Sequence, residues 1–274
     1  MKQKVIFIHI PKTAGTSVNT LLSYQYGHRK NFWHTTQESW AIAKERFLKH
    51  VDICPEHCDL VRGHIPYGWA DLTEGDYAYI TFVRDPLERA ISHYNFAINH
   101  GRGIWYDELS SFNNLEDYLC NGNSIGHDNY QLRYLSGTDF QQPVNRMCLE
   151  KTYLRMQNEE LIVGCLSRMR ESVVLMSAVL HWRKPIFNLH YNPGPQRAVV
   201  DLPKEVEVQF RERNILDYEL HDYARSFFDK MLLKHENAYK FRMKLFKIYG
   251  PVFGEVAHCF GNIYRKFKKK VERH

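Results

Sequence analysis

Lys12, Thr13, Ala14, Gly15, Thr16 and Ser17 bring an ammonium group, a glycine and several hydroxyls into one short segment. The apolar run Val5-Ile6-Phe7-Ile8-His9-Ile10 stands before it, and Val18, Leu21 and Leu22 begin a helical spacing after it. Strand, short loop and helix can together hold a phosphorylated ligand. Backbone N–H groups of the loop and the first helical turn face the anion, and Lys12 adds a full positive charge. Lysine precedes the glycine, so the segment does not follow the G-x-x-x-x-G-K-[ST] order, although the same physics applies. A plain strand-to-helix turn with a solvated lysine is the alternative.

Arg84 closes a second apolar run, Tyr77–Val83. Asp85-Pro86 reads as a helix N-cap followed by a first-turn proline, and Ser92 comes two turns further on. An arginine fork and a hydroxyl can hold a separate phosphate, and ligands of open α/β sheets gather at the carboxyl ends of strands. The competing role for Arg84 is an ordinary ion pair with a carboxylate. His64 follows Leu60-Val61-Arg62-Gly63 and precedes a turn at Pro66–Gly68. An imidazole titrating near neutrality can accept a proton from a hydroxyl; alternatively, His64 is a structural turn residue.

Positioning these groups requires a sheet. Strands are expected at Val5–Ile10, Leu60–Ile65, Tyr77–Val83 and Leu161–Gly164. Helices are expected from Thr16 to Gly27, over 41–51, after Asp85, over 115–119, 129–135, 147–157 and 168–182, and from Glu205 to Leu233. Residues 101–114 read as a loop that could act as a lid or touch an acceptor. Strands separated by helices predict an α/β protein, a three-layer sandwich around a central parallel sheet. A length of 274 residues fits one large domain, 1–233, with a basic amphipathic helical extension over 234–274. In that extension Phe253, Val256, Phe260, Ile263, Tyr264 and Phe267 fall near one helical face, with lysines and arginines at the tip. Such a face could lie on an anionic membrane surface or pack on protein.

The net charge of +6 suits an anionic ligand. It accompanies no recognised nucleic-acid-binding motif, so no nucleic-acid partner is expected. Cys54, His57 and Cys58 have no matching second ligand pair, so ordinary thiols and no metal are expected. The first strand starts at Val5 with no leader before it, and no apolar run is long enough to span a bilayer. The expected location is cytoplasmic, with possible peripheral contact at the inner membrane face.

P-K-T-A-G-T-S at 11–17 and V-R-D-P-L-E-R-A-I-S-H-Y at 83–94 resemble the two nucleotide-binding motifs of sulfotransferases that use 3′-phosphoadenosine 5′-phosphosulfate (PAPS). R-G-H-I-P-Y-G at 62–68 is similar to the carbohydrate branch, the heparan/uronyl 2-O-sulfotransferases and their bacterial relatives. Fainter similarity lies in D-N-Y-Q-L-R-Y-L-S-G at 128–137, L-I-V-G-C-L-S-R-M at 161–169 and N-I-L-D-Y-E-L-H-D-Y-A at 214–224. The resemblance runs from about Val5 to Phe228 and implies a P-loop-NTPase-like sulfotransferase fold.

By that resemblance, Lys12, Thr13, Ala14, Gly15, Thr16 and Ser17 hold the 5′-phosphosulfate, and Arg84 and Ser92 hold the 3′-phosphate. Arg197, in the loop from Asn192, touches the nucleotide. His64 is the general base and Lys12 stabilises the departing adenosine 3′,5′-bisphosphate, with no metal required. The implied acceptor is a carbohydrate or glycoconjugate, met by Tyr67, Asn95 and Arg133, with Trp69, Tyr94, His100, Arg102 and Trp105 near in sequence. Arg62 occupies a position where such relatives often carry histidine. A P-loop-type kinase or other nucleotide phosphotransferase, and a non-catalytic nucleotide- or glycan-binding module, remain the competing readings.

Overall fold

Large apolar side chains at successive positions of a strand point to both faces of the sheet, so both faces must be covered. That requirement shapes the computed structural model, which describes residues 3–27, 31–34, 40–53, 58–72, 75–101, 104–122, 128–138, 142–187 and 201–251. The strands are β1 (Lys4–Ile8), β2 (Asn31–His34), β3 (Leu60–Gly63), β4 (Tyr77–Val83) and β5 (Leu161–Cys165). They form one parallel sheet in the order β2-β3-β1-β4-β5. In its register Val5 lies beside Leu60, Phe7 beside Ile80 and Phe82 beside Gly164.

The helices are α1 (Gly15–Tyr26), α2 (Trp40–Ile53), α3 (Pro86–His100), α4 (Ile104–Leu109), α5 (Leu115–Asn121), α6 (Tyr130–Ser136), α7 (Arg146–Gln157), α8 (Met169–Val179), α9 (Lys204–Arg213) and α10 (Ile215–Lys234). On one face of the sheet Ile6, Ile8, Val61, Tyr79 and Val163 pack with α6, α7 and α10. On the other, Val5, Phe7, Leu60, Ile80, Phe82 and Ile162 pack with α1 and α8. These layers are the α/β sandwich expected from the sequence. Ala90 and Ala97 of α3, Tyr118 of α5 and Phe210 of α9 build a third cluster beside them.

Two segments depart from expectation. β2 is an edge strand in a polar, aromatic stretch, and its Phe32 is buried against Phe47 at 5.1 Å. One covered face leaves no continuous apolar run to recognise. Within 101–114 stands α4, not a bare loop, because Leu109 buries itself in the third cluster. Beyond α10, residues 236–251 are helical, and Phe246, with Tyr239 and Met243, packs on the second face. The rest of the extension, including Phe253, Val256, Phe260, Ile263, Tyr264 and Phe267, lies outside the described residues. Among the described residues no helix is long and apolar enough to cross a membrane.

The sheet order determines where a ligand can sit. The chain leaves β1 toward β2 and β3 on one side, and leaves β4 toward β5 on the other. The crevice at the carboxyl ends of β1 and β4 is therefore the topological switch point.

Candidate active site

Pro11 to Ala14 leaves β1 at that switch point. Lys12 (φ 70°) and Ala14 (φ 65°) are left-handed, which costs a non-glycine residue about 1–3 kcal/mol and persists only where the surroundings enforce it. Here Thr13, fully buried, donates from Oγ1 to the Ile10 carbonyl at 2.8 Å. The N–H groups of Ser17 and Val18 both bond the Ala14 carbonyl. These residues carry the chain into α1, whose first turn carries no acidic residue. Gly15 admits no side chain: a Cβ there would fall 1.6 Å from Nε2 of His9.

Arg84 leaves β4 on the other side of the crevice and is buried. Its Nη1 donates to the Lys12 carbonyl at 3.1 Å and its Nε to Oε2 of Glu88 at 3.2 Å. It therefore has the carboxylate partner considered from sequence, yet it also reaches the loop. Its backbone is held by Gln131, whose Oε1 accepts from the Arg84 N–H at 3.0 Å and whose Nε2 donates to the Arg84 carbonyl at 2.8 Å.

Gln131 is held in turn from α10. Asp217 accepts from the N–H groups of Gln131 at 3.0 Å and Leu132 at 2.8 Å. The Asn129 N–H donates to Asn214 Oδ1 at 2.9 Å, and the Asp217 N–H to Asn129 Oδ1 at 3.0 Å. Burial pushes the Asp217 carboxyl up to about 6, against the opposing pull of those N–H donors. The segments at 128–137 and 214–224 thus bolt α6 to α10 and fix Arg84 through Gln131. Sequence reasoning missed Gln131 and Asp217; the signal was their place inside those two segments.

Asp85 caps α3 by accepting the Glu88 N–H at 2.9 Å, with Pro86 in the first turn. Ser92 is half-buried on this helix. Phe96, one turn later on the same face, lies under the Lys12 ammonium at 4.0 Å from the ring centroid. Burial first, and the Arg84 charge second, lower the Lys12 ammonium to about 8.

His64 leaves β3, the strand on the far side of β1. Its Nδ1 lies 2.8 Å from the His9 carbonyl oxygen. A carbonyl only accepts, so Nδ1 carries the proton and the lone pair is on Nε2. The His64 ring stacks on that of His9, centroids 4.3 Å apart. Burial, His64 and Lys12 hold His9 well below the ordinary histidine range. His9 was not singled out from sequence, although its place just before the loop was a signal. Buried Arg62 donates from Nη1 to the Asn19 carbonyl (2.8 Å) and Ser23 Oγ (2.7 Å), tying β3 to α1.

The structure brings Lys12, Arg84 and His64 to the ends of three adjacent strands, with Ser92 on the helix after Arg84. It does not bring Tyr67 or Arg133 to them. The Tyr67 hydroxyl donates to Glu160 at 3.2 Å, at the amino end of β5, and Arg155 covers its ring at 3.7 Å. Arg133 bonds Asp128, through its carbonyl (2.9 Å) and Oδ2 (3.0 Å), and the Gln142 carbonyl (2.6 Å). Asn95 is exposed on α3. Trp69 is buried in the first core cluster, Tyr94 packs on Tyr118 and His100 on Phe96. Arg102, Arg197 and the Trp105 side chain lie outside the described residues, as do Cys54 and His57. Among the described residues no group of His, Cys, Asp and Glu side chains could hold a metal ion.

Two basic side chains, Lys12 and Arg84, and the imidazole of His64 thus stand at the carboxyl ends of three adjacent strands. A family model described as the Sulfotransferase family matches residues 1–184 of this chain. No curated protein matches it.

Proposed function

Because the chain belongs to the sulfotransferase family, we propose that it moves the sulfuryl group of PAPS to a hydroxyl of a carbohydrate or glycoconjugate. The observation that carries this reading is the hydrogen bond from the Arg84 guanidinium to the Lys12 backbone carbonyl beside the start of α1, with the Lys12 ammonium lowered to about 8 by burial and then by the Arg84 charge. Residues 12–17 receive the 5′-phosphosulfate, Arg84 and Ser92 the 3′-phosphate, and Arg197 the nucleotide.

The bound donor supplies an activated sulfuryl group. His64 Nε2 takes the acceptor hydroxyl's proton as that oxygen bonds to sulfur. The bond from sulfur to the 5′-phosphate oxygen breaks, and its electron pair stays on that oxygen. Lys12 and the loop N–H groups stabilise the resulting charge. The work of the protein is positioning and electrostatics, and the residue set needs no metal for it. The sugar-facing surface includes Asn95, which is exposed on α3.

Residues 1–233 form the catalytic unit and 234–274 an extension. Lys240, Lys244 and Lys247 share an exposed helical face with Phe241 and Ile248, which favours peripheral contact with an anionic inner membrane face. Free thiols at Cys58, Cys120, Cys148 and Cys165 suit a reducing, cytoplasmic compartment.

The test is transfer of radiolabelled sulfate from PAPS to a panel of glycans, glycolipids and simple alcohols. Labelling of a sugar hydroxyl by the native chain, lost in His64→Ala, is the expected result. ATP-dependent phosphorylation of the same panel would overturn the reading.

A further inference from the structure

We propose that His9 is a positioning residue for the base: its carbonyl sets which nitrogen of His64 carries the proton, and its ring sets the plane of the imidazole. The inference rests on reading His64 as that base. The backbone of β1 and β3 continues one step past the strands, because the His9 N–H bonds the Gly63 carbonyl at 2.8 Å. The next rung is not backbone to backbone. It runs from His64 Nδ1 to the His9 carbonyl, also at 2.8 Å. A side chain has taken a ladder position, and that makes its tautomer a property of the sheet.

The ring of His9 is itself confined. It stacks on Phe7 with centroids 5.6 Å apart and 12° between planes, and on His64 at 4.3 Å and 28°. It lies so close to the start of α1 that a Cβ at position 15 would fall 1.6 Å from its Nε2 and force the ring to shift. The groups that bear on it are Lys12 and His64, both of which disfavour its protonation alongside burial. A neutral ring beside His64 offers a π-face when His64 takes a proton, whereas a second imidazolium there would oppose the transfer.

Three variants separate the possibilities: His9→Phe keeps a flat ring, His9→Leu keeps volume without one, and His64→Ala identifies the base. Two-dimensional ¹⁵N–¹H correlation of the histidine rings, with His64 assigned by its absence in His64→Ala, reads the tautomer without any acceptor. The His9 carbonyl is backbone and survives both substitutions, so we expect the Nδ1–H form in the native chain and in both His9 variants, and the part played by the ring is read from kcat. A small misplacement of a reacting group costs on the order of a hundredfold. Sulfate transfer by His9→Leu should accordingly fall by about ten- to a hundredfold in kcat, with little change in adenosine 3′,5′-bisphosphate affinity, while His9→Phe stays within about threefold.

An Nε2–H tautomer in the native chain, or a native kcat in His9→Leu, would overturn the proposal. So would equal losses in the two His9 variants, or a loss of nucleotide affinity matching the loss of kcat. Transfer retained by His64→Ala would instead remove the base assignment. A dead His64→Ala beside a fully active His9→Leu would remove the positioning role alone.

Discussion

Arg84 Nη1 donates to the carbonyl oxygen of Lys12 at 3.1 Å, joining residues 72 positions apart. The contact ties the loop after β1 to the residue after β4, and the Arg84 charge adds to burial in lowering the Lys12 ammonium. Glu88 Oε2, accepting from Arg84 Nε, offsets part of that charge, and an added anion would offset more.

Nucleotide affinity should therefore depend on pH. An anion raises the Lys12 pKa above its ligand-free position near 8, so binding takes up a proton between the two values. Affinity for adenosine 3′,5′-bisphosphate should hold steady up to neutrality and weaken as pH rises through about 8. Calorimetry in two buffers of different ionisation enthalpy measures the proton uptake directly. Lys12→Met should bind more weakly and lose the dependence; a native affinity that is flat through this range would exclude the assignment.

The 3′-phosphate should be felt by Arg84. Adenosine 3′,5′-bisphosphate should raise the Tm more than adenosine 5′-monophosphate does. Arg84→Ala should remove the difference, since a charge-assisted hydrogen bond contributes about 1.5–3 kcal/mol, or roughly ten- to a hundredfold in affinity. Equal shifts in the native chain would remove the case for Arg84 and Ser92.

Asp217→Ala strips the acceptors from two N–H groups at the start of α6. It should destabilise the fold by about 2–5 kcal/mol, measured by urea unfolding, because each orphaned donor costs roughly 1–3 kcal/mol. Gln131→Ala should cost less stability yet weaken nucleotide binding through Arg84. With a folded pKa near 6 raised above the ordinary aspartate value, Asp217 keeps more protons bound than the unfolded chain does. Its contribution is greatest in acid, below the unfolded value, and declines as pH rises through about 6; Asp217→Asn should flatten that part of the profile.

Neighbouring loop positions should respond in opposite senses. Gly15→Ala drives a methyl into the His9 ring and should lower both Tm and nucleotide affinity. Ala14→Gly relieves a left-handed alanine, a strain of about 1 kcal/mol or more, and should leave the Tm equal or higher. A thermal melt of each variant decides the matter.

Local chemistry made much of this legible beforehand. Buried strands announce themselves as apolar runs, Asp85-Pro86 as a helix start, and Lys12 to Ser17 as a strand-to-helix junction, because each depends on residues adjacent in the chain. β2 escaped because an edge strand needs only one apolar face. α4 escaped because Leu109 finds its partners on α3 and α5.

The amino-acid order by itself determined the α/β alternation, the loop, and the residue types able to bind an anion and take a proton. Tertiary structure alone decided that Arg84 meets Lys12, that Asp217 steadies Arg84 through Gln131, that His9 rather than Arg62 lies against His64, and that Tyr67 and Arg133 turn to other partners. The reason is physical: propensity and capping act over a few residues, whereas these contacts depend on which strands neighbour one another, which only the packed sheet settles.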